Sequence, residues 1–126
     1  MPGDRPDPRQ GDVWRVEFHE GGERPALVVS RDALNRGRLV LVVPCTTSRV
    51  SERRATPNHV FLPAGTGGLG QDSVAQTHLV QPVAVEWLLA RLGTLPAPAL
   101  EETLLAVAWS IGLFENLARG IATPSP

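Results

Sequence analysis

The chain has 126 residues, 42% of them hydrophobic, with twelve basic residues against thirteen acidic ones and one cysteine. That supports one modest core in one domain, excludes an internal disulfide, and leaves no apolar run long enough for a membrane span. The net charge of -1 is not the basic excess expected of a nucleic-acid binder, but ten arginines against eight acids fall in residues 1–60 and only two against five in 61–126.

Met1 to Gln10 is rich in Pro, Asp and Arg, reads as a flexible tail and lacks the apolar centre of a signal peptide, so a cytoplasmic protein is expected. Trp14, Val16 and Phe18 then alternate with Arg15 and Glu17, the pattern of a strand with one wet face; Trp14 belongs to its inward set. Arg24-Pro25 heads a second apolar strand, Ala26 to Ser30. Leu39 to Val43 is apolar throughout and is expected to be central and covered on both faces. Cys45, just beyond it, reads as a small buried hydrophobe. Val60 to Leu62 and Ser73 to Val83 supply two further strands, with Gly65-Thr66-Gly67-Gly68 as the turn between them. A helix follows Pro96 and Pro98, with Glu101 and Glu102 in its first turn, and runs to about Leu117. Its apolar surface is wider than one core requires. Leu100, Leu104, Val107 or Ala108, Ile111 and Phe114 make one stripe, while Leu105, Trp109, Gly112 and Leu113 lie round the side. The second stripe is expected to be buried against another copy of the chain, making a homodimer through this helix and the adjacent strands. Residues 119–126 read as a second tail. Periodicity alone thus describes a small, mostly β protein with a C-terminal helix, a single domain over residues 11–118.

If Ala26 to Ser30 and Leu39 to Val43 pair as antiparallel neighbours, the head of the first lies beside the tail of the second. Arg24 would then meet Thr46, Thr47 and Ser48. A planar cationic fork with neutral hydroxyl donors around it suits a phosphate. The same residues also fit a solvated strand end and a turn that satisfies its own backbone.

Gly11-Asp12-Val13-Trp14, Arg24-Pro25-Ala26-Leu27-Val28-Val29-Ser30 and Val43-Pro44-Cys45-Thr46-Thr47-Ser48 resemble successive strand motifs of the MazF/PemK/Kid toxin family. Asn35-Arg36, Thr56-Pro57-Asn58-His59-Val60, Leu62-Pro63-Ala64-Gly65, Gly68-Leu69, Asp72-Ser73-Val74 and Leu92-Gly93-Thr94-Leu95 continue the likeness in order, over roughly residues 10 to 118. The resemblance implies an SH3-like barrel of the CcdB/MazF toxin fold with appended helices. It also implies a metal-independent, sequence-selective endoribonuclease cutting single-stranded RNA, a homodimer with RNA in a groove between subunits, and a cognate antitoxin. Such an antitoxin would lay an acidic, extended segment over the Arg24 groove. By resemblance Arg24 and Thr46 match the family's catalytic Arg and Thr, with Thr47 and Ser48 as neighbours in the phosphate pocket.

Cleavage through the 2′-hydroxyl needs a base, stabilisation of a pentavalent phosphorane and protonation of the leaving 5′-oxygen. Arg24 suits the second service and cannot be the base, because guanidinium keeps its proton. His78 is the candidate base; it stands where Kid-like members carry a catalytic acid, followed by Leu79 and Gln81 where the family carries Gln and a cation. These departures also fit an impaired enzyme that only docks an antitoxin. His19-Glu20 resembles the family's first-loop His-Glu, in a loop shorter than usual with Gly21 replacing a Gln. Arg49, Arg53 and Arg54 in the polar stretch Ser48 to Thr56, together with Gln76, are further candidates for RNA contact, though a plain solvated loop fits the arginines equally. Trp87 is a candidate for base stacking. All twelve cations being Arg favours forked phosphate contacts or reflects a genomic bias. His59 has no ligand types beside it, so no metal or other cofactor is expected. A gyrase-directed toxin of the CcdB type shares the fold but relies on an aromatic C-terminal end, whereas Ala122 to Pro126 holds none.

Overall fold

The computed structural model describes residues 5–120. Seven strands, β1 (Asp12–Glu17), β2 (Glu23–Val28), β3 (Leu39–Thr46), β4 (His59–Leu62), β5 (Ser73–Gln76), β6 (Gln81–Ala84) and β7 (Leu88–Thr94), form one bent antiparallel sheet. Four short or medium helices accompany them: α1 (Asp32–Asn35), α2 (Val50–Arg53), α3 (Ala97–Ser110) and α4 (Leu113–Ala118).

The strand order is β4-β5-β3-β2-β1-β7, with β6 paired to β3. β3 is the hub. It pairs β2 on one side, while on the other its first half pairs β6 and its last residues, Cys45 and Thr46, pair Ala75 and Val74 of β5. The β2 ladder ends at Pro44, and the end of β3, Thr46, is held from the β5 side by Val74.

The sheet buries both faces. Val13, Leu27, Val43, Cys45, Val60, Leu62 and Leu69 form one core, against which Leu100, Leu104 and Val107 of α3 pack; Trp14, Val16, Ala26, Val28, Val40, Val42 and Leu88 form the other. Leu27 and Leu62, both fully buried, contribute about 1.5–3 kcal/mol each by leaving water.

The two outer strands, β4 and β7, share no ladder; the loop between β4 and β5 bridges them. Its turn Thr66–Gly68 lies directly on β7. A Cβ at Gly68, where φ is +82, would sit 2.0 Å from the Leu92 carbonyl oxygen, and one at Gly93 would sit 2.6 Å from that of Gly67. Only glycine permits this approach.

Several expectations need correction. Ser73 to Val83 is not one strand: the one-turn helix Thr77–Leu79 divides it into β5 and β6. The cause is Thr77, fully buried, whose hydroxyl reaches the Asn58 and Ala106 carbonyls and Ser110 Oγ at 2.8, 3.3 and 2.9 Å. β7 is a strand that the pattern of Leu88 to Thr94 does not announce. Leu39 and Leu41 are not covered on both faces but are 58% and 41% exposed. The C-terminal helix starts at Ala97, so Glu101 and Glu102 lie beyond its first turn, and it breaks at Gly112, which adopts φ +81. That break turns Ile111 and Phe114 outward, 66% and 42% exposed. Residues 5–10 are laid against the domain, with Arg5 donating to the Asn35 and Gly37 carbonyls and Gln10 to Asp32 and Val29. The C-terminal tail from residue 121 lies outside the described residues.

Candidate active site

β2 and β3 pair Ala26 with Pro44, Leu27 with Val43 and Val28 with Val42. Continued by two residues, that register sets Arg24 opposite Thr46 on the same face of the sheet, the separation at which cross-strand side chains meet. The strand pairing anticipated from the sequence is therefore present. A cleft of about 290 Å3 opens there, lined by Glu23, Arg24, Pro25, Cys45, Thr46, Thr47 and Ser73. Its volume falls just short of the roughly 300–1,000 Å3 usual for ligand pockets and suits a phosphodiester group better than a whole nucleotide.

The donors in the cleft are aimed. Arg24 spends its Nε on the Gly21 carbonyl at 3.2 Å. No other protein partner engages its guanidinium among the described residues, so the two terminal nitrogens are left for an anion. Thr46 Oγ1 accepts from the Ser48 amide at 3.1 Å. An oxygen held in that way keeps its own proton to donate outward. Ser73, nearly fully buried, gives its hydroxyl proton to the Gln71 carbonyl at 2.9 Å and so presents a fixed lone pair. Ser73 and Glu23 were not among the residues singled out by sequence; the Asp72-Ser73-Val74 motif was the available signal for the first.

Cys45 lines the cleft without chemistry to offer. Burial pushes its thiol up to about 12, so no thiolate forms at neutral pH.

The other candidates fall into three places. His19 and Glu20 form the one-turn helix His19–Gly21 beside Arg24, with His19 in a left-handed conformation at φ 62. The His19 ring meets Trp87 edge-on at 4.3 Å. Thr47, Ser48 and Arg49 follow Thr46, Arg49 being paired with Glu52 at 2.8 Å. Arg54 stacks over Phe61 at 3.6 Å, and Arg53 is half-buried.

His78 is not among the residues lining the cleft. It lies with His59, ring centroids 5.3 Å apart, and its Nδ1 is 2.7 Å from Asn58 Nδ2. Gln76 is buried in β5 opposite His59. His59 Nε2 is buried with no partner, while its Nδ1 meets Thr56 Oγ1 at 2.7 Å. Desolvation, followed by the neighbouring His78 and Arg53 charges, lowers its pKa below the usual 6.5. Among the described residues no group of three or more His, Cys, Asp or Glu is arranged to hold a metal.

Known proteins resemble this chain in sequence and fold. A family model described as PemK-like, MazF-like toxin of type II toxin–antitoxin systems matches residues 9–111. The probable endoribonuclease MazF5 of Mycobacterium tuberculosis is 39% identical over 89 residues, 70% of this chain and 78% of that protein. Endoribonuclease MazF9 of the same organism is 33% identical over 105 residues, 75% of this chain and 87% of its own length. The MazE–MazF crystal structure from Deinococcus radiodurans superposes with a TM-score of 0.68 at 26% identity, over 85% of this chain and 97% of that one. The barrel-like α+β fold expected from the motifs is thus the fold of solved relatives, and the chain belongs to the PemK-like, MazF-like toxin family of type II toxin–antitoxin systems.

Proposed function

We propose that the protein is the toxin of a type II toxin–antitoxin pair and acts as an endoribonuclease on single-stranded RNA. The observation that carries this reading is the register that sets Arg24 across from Thr46, in a family whose relatives include endoribonucleases MazF5 and MazF9. The chemistry is attack by the 2′-hydroxyl on its own phosphate, which leaves a cyclic phosphate and a 5′-hydroxyl and needs no metal. The terminal nitrogens of Arg24 stabilise the equatorial oxygens of the phosphorane, and the Thr46 hydroxyl donates to the same group. Thr47 and Ser48 extend the donor set along the strand exit, while His19, Glu20, Arg49, Arg53, Arg54 and Gln76 are proposed to contact flanking RNA.

His78 lies outside the cleft within one protomer, so we propose it as the base only in a dimer whose shared groove brings one chain's His78 toward the other's cleft. The exposed apolar residues Leu105 and Trp109 of α3, Leu113 and Phe114 of α4, and Leu39 and Leu41 of β3 supply the surface such a dimer would bury. An antitoxin covers Arg24 with an acidic segment, and the toxin works in the cytoplasm. No helix among the described residues is long and apolar enough to cross a membrane.

One observation favours a catalytically weak module that only docks the antitoxin: no imidazole lines the cleft. Incubation with a long single-stranded RNA in EDTA, beside Arg24→Ala and Thr46→Ala, separates the two. Cuts at a recurring motif, absent in both variants, support the nuclease; intact RNA from a folded, antitoxin-binding protein supports the module. A rate profile without an inflection between about pH 5 and 8 removes His78 as the base.

A further inference from the structure

Arg24 is exposed at the head of a strand, where a long side chain ordinarily samples many rotamers. What restrains it is the Gly21 carbonyl, 3.2 Å from Nε. That carbonyl belongs to the turn between β1 and β2, which is closed by two backbone bonds, Phe18 N–H to the Gly22 carbonyl at 3.0 Å and Gly22 N–H to the His19 carbonyl at 3.2 Å. The turn also holds His19 at positive φ, a conformation that persists only where surroundings enforce it. Two contacts do so. The His19 amide donates to Glu17 Oε2 at 2.9 Å, and the His19 ring stands edge-on to Trp87 at 4.3 Å, with the planes 85° apart. Trp87 ends the one-turn helix Val85–Trp87, whose next residue, Leu88, is anchored in the core. A rigid element on the far side of β1 thus reaches across to the turn that aims the guanidinium.

We propose that Trp87 is a positioning residue, which fixes the turn His19–Gly21 through the His19 ring and thereby orients Arg24 toward the cleft. It is not among the residues that line the cleft. This assignment rests on the endoribonuclease reading for its catalytic consequence but not for its structural one, and the test keeps the two apart.

The variants are Trp87→Ala and Trp87→Phe in the full chain. Trp87 is 37% exposed, so neither is expected to unfold the protein. The first measurement needs no activity: hydrogen exchange at the Phe18 and Gly22 amides. It is expected to accelerate in Trp87→Ala and to stay near the wild-type rate in Trp87→Phe, which retains a ring for His19. Unchanged exchange in Trp87→Ala overturns the proposal whether or not the protein cuts RNA. The second measurement is steady-state RNA cleavage. Loss of the anchor is expected to lower kcat about three- to tenfold, the range an aromatic edge contact is worth, with KM unchanged and rescue by Phe. A raised KM with kcat intact would mean instead that Trp87 stacks on a base of the RNA, and would overturn the positioning role. Should the wild type cut no RNA at all, the endoribonuclease reading fails while the exchange result still decides the anchor.

Discussion

Replacing Arg24 with Lys keeps the positive charge and removes the fork, so it asks whether the cleft needs a cation or a shape. The guanidinium already commits Nε to Gly21 and leaves two terminal nitrogens for the phosphorane. Lys offers one nitrogen and no second point of attachment to the turn. At least one charge-assisted hydrogen bond, worth about 1.5–3 kcal/mol, is therefore lost at the transition state. That converts to a fall in kcat of about 10- to 150-fold. KM should change little, because the long-range attraction for phosphate is retained, and stability should stay within about 0.5 kcal/mol, because the side chain is exposed. The assay is single-turnover cleavage of an end-labelled RNA in EDTA by wild type, Arg24→Lys and Arg24→Ala, with thermal melts as a folding control. A lysine variant within threefold of wild type would falsify the argument that the fork, rather than the charge, does the chemistry.

Asp12 is a buried carboxylate with four partners: the Arg91 guanidinium at 3.1 Å, the Arg9 amide at 2.8 Å, Trp14 Nε1 at 3.3 Å and Thr94 Oγ1 at 3.2 Å. Asp12→Ala leaves the Arg9 amide, Trp14 Nε1 and Thr94 Oγ1 without their acceptor, while Arg91, 55% exposed, can turn to water; the loss should be about 1–3 kcal/mol, read as a lowered urea midpoint, and a loss under about 0.5 kcal/mol contradicts this account. Gly93→Ala forces a methyl against the Gly67 carbonyl and should destabilise by about 1–3 kcal/mol, whereas Gly70→Ala, with open space around it, should be close to neutral. The fold lowers the His59 pKa below the usual 6.5, so on acidification the unfolded chain takes up that proton first; stability is complete above 6.5 and declines as the pH falls from there toward the lowered folded value. His59→Phe should flatten that decline, and an unchanged pH dependence of the melting temperature would remove His59 as its source. The Cys45 thiol should resist alkylation in the native protein and react only on unfolding.

Arg24 and Thr46 could be brought together from the sequence because the inference needed only two local apolar runs and one antiparallel pairing. The elements that escaped are those decided by partners distant in the chain. Nothing near Thr77 announces that its hydroxyl will bridge the Asn58 carbonyl to Ala106 and Ser110, 29 and 33 residues away, yet that bridge ends β5 and moves His78 off the strand. β7 escaped because Ala90, Arg91 and Gly93 blur its alternation, and its place is set by β1 and the Thr66–Gly68 turn. The helix break was visible as Gly112, but the apolar residues on both sides of it read as one continuous stripe. Glu23 went unnoticed as a cleft residue because an acid next to Gly21-Gly22 reads as an ordinary turn carboxylate; the structure pairs it with Arg15 at 3.0 Å.

The glycine join between the β4–β5 loop and β7 is a contact without a ladder. A barrel closed by hydrogen bonds unfolds as one piece, whereas here the β4–β5 hairpin is held by packing on the β7 side and by the short ladder from Ala75 and Val74 to Cys45 and Thr46 on the other, so it can open while β1, β2, β3 and β7 stay paired. The hairpin carries Ser73 into the cleft and sets Val74 beside Thr46. RNA cleavage should consequently fail at a lower urea concentration than the one that exposes Trp14, with the site behaving as the first cooperative unit to open.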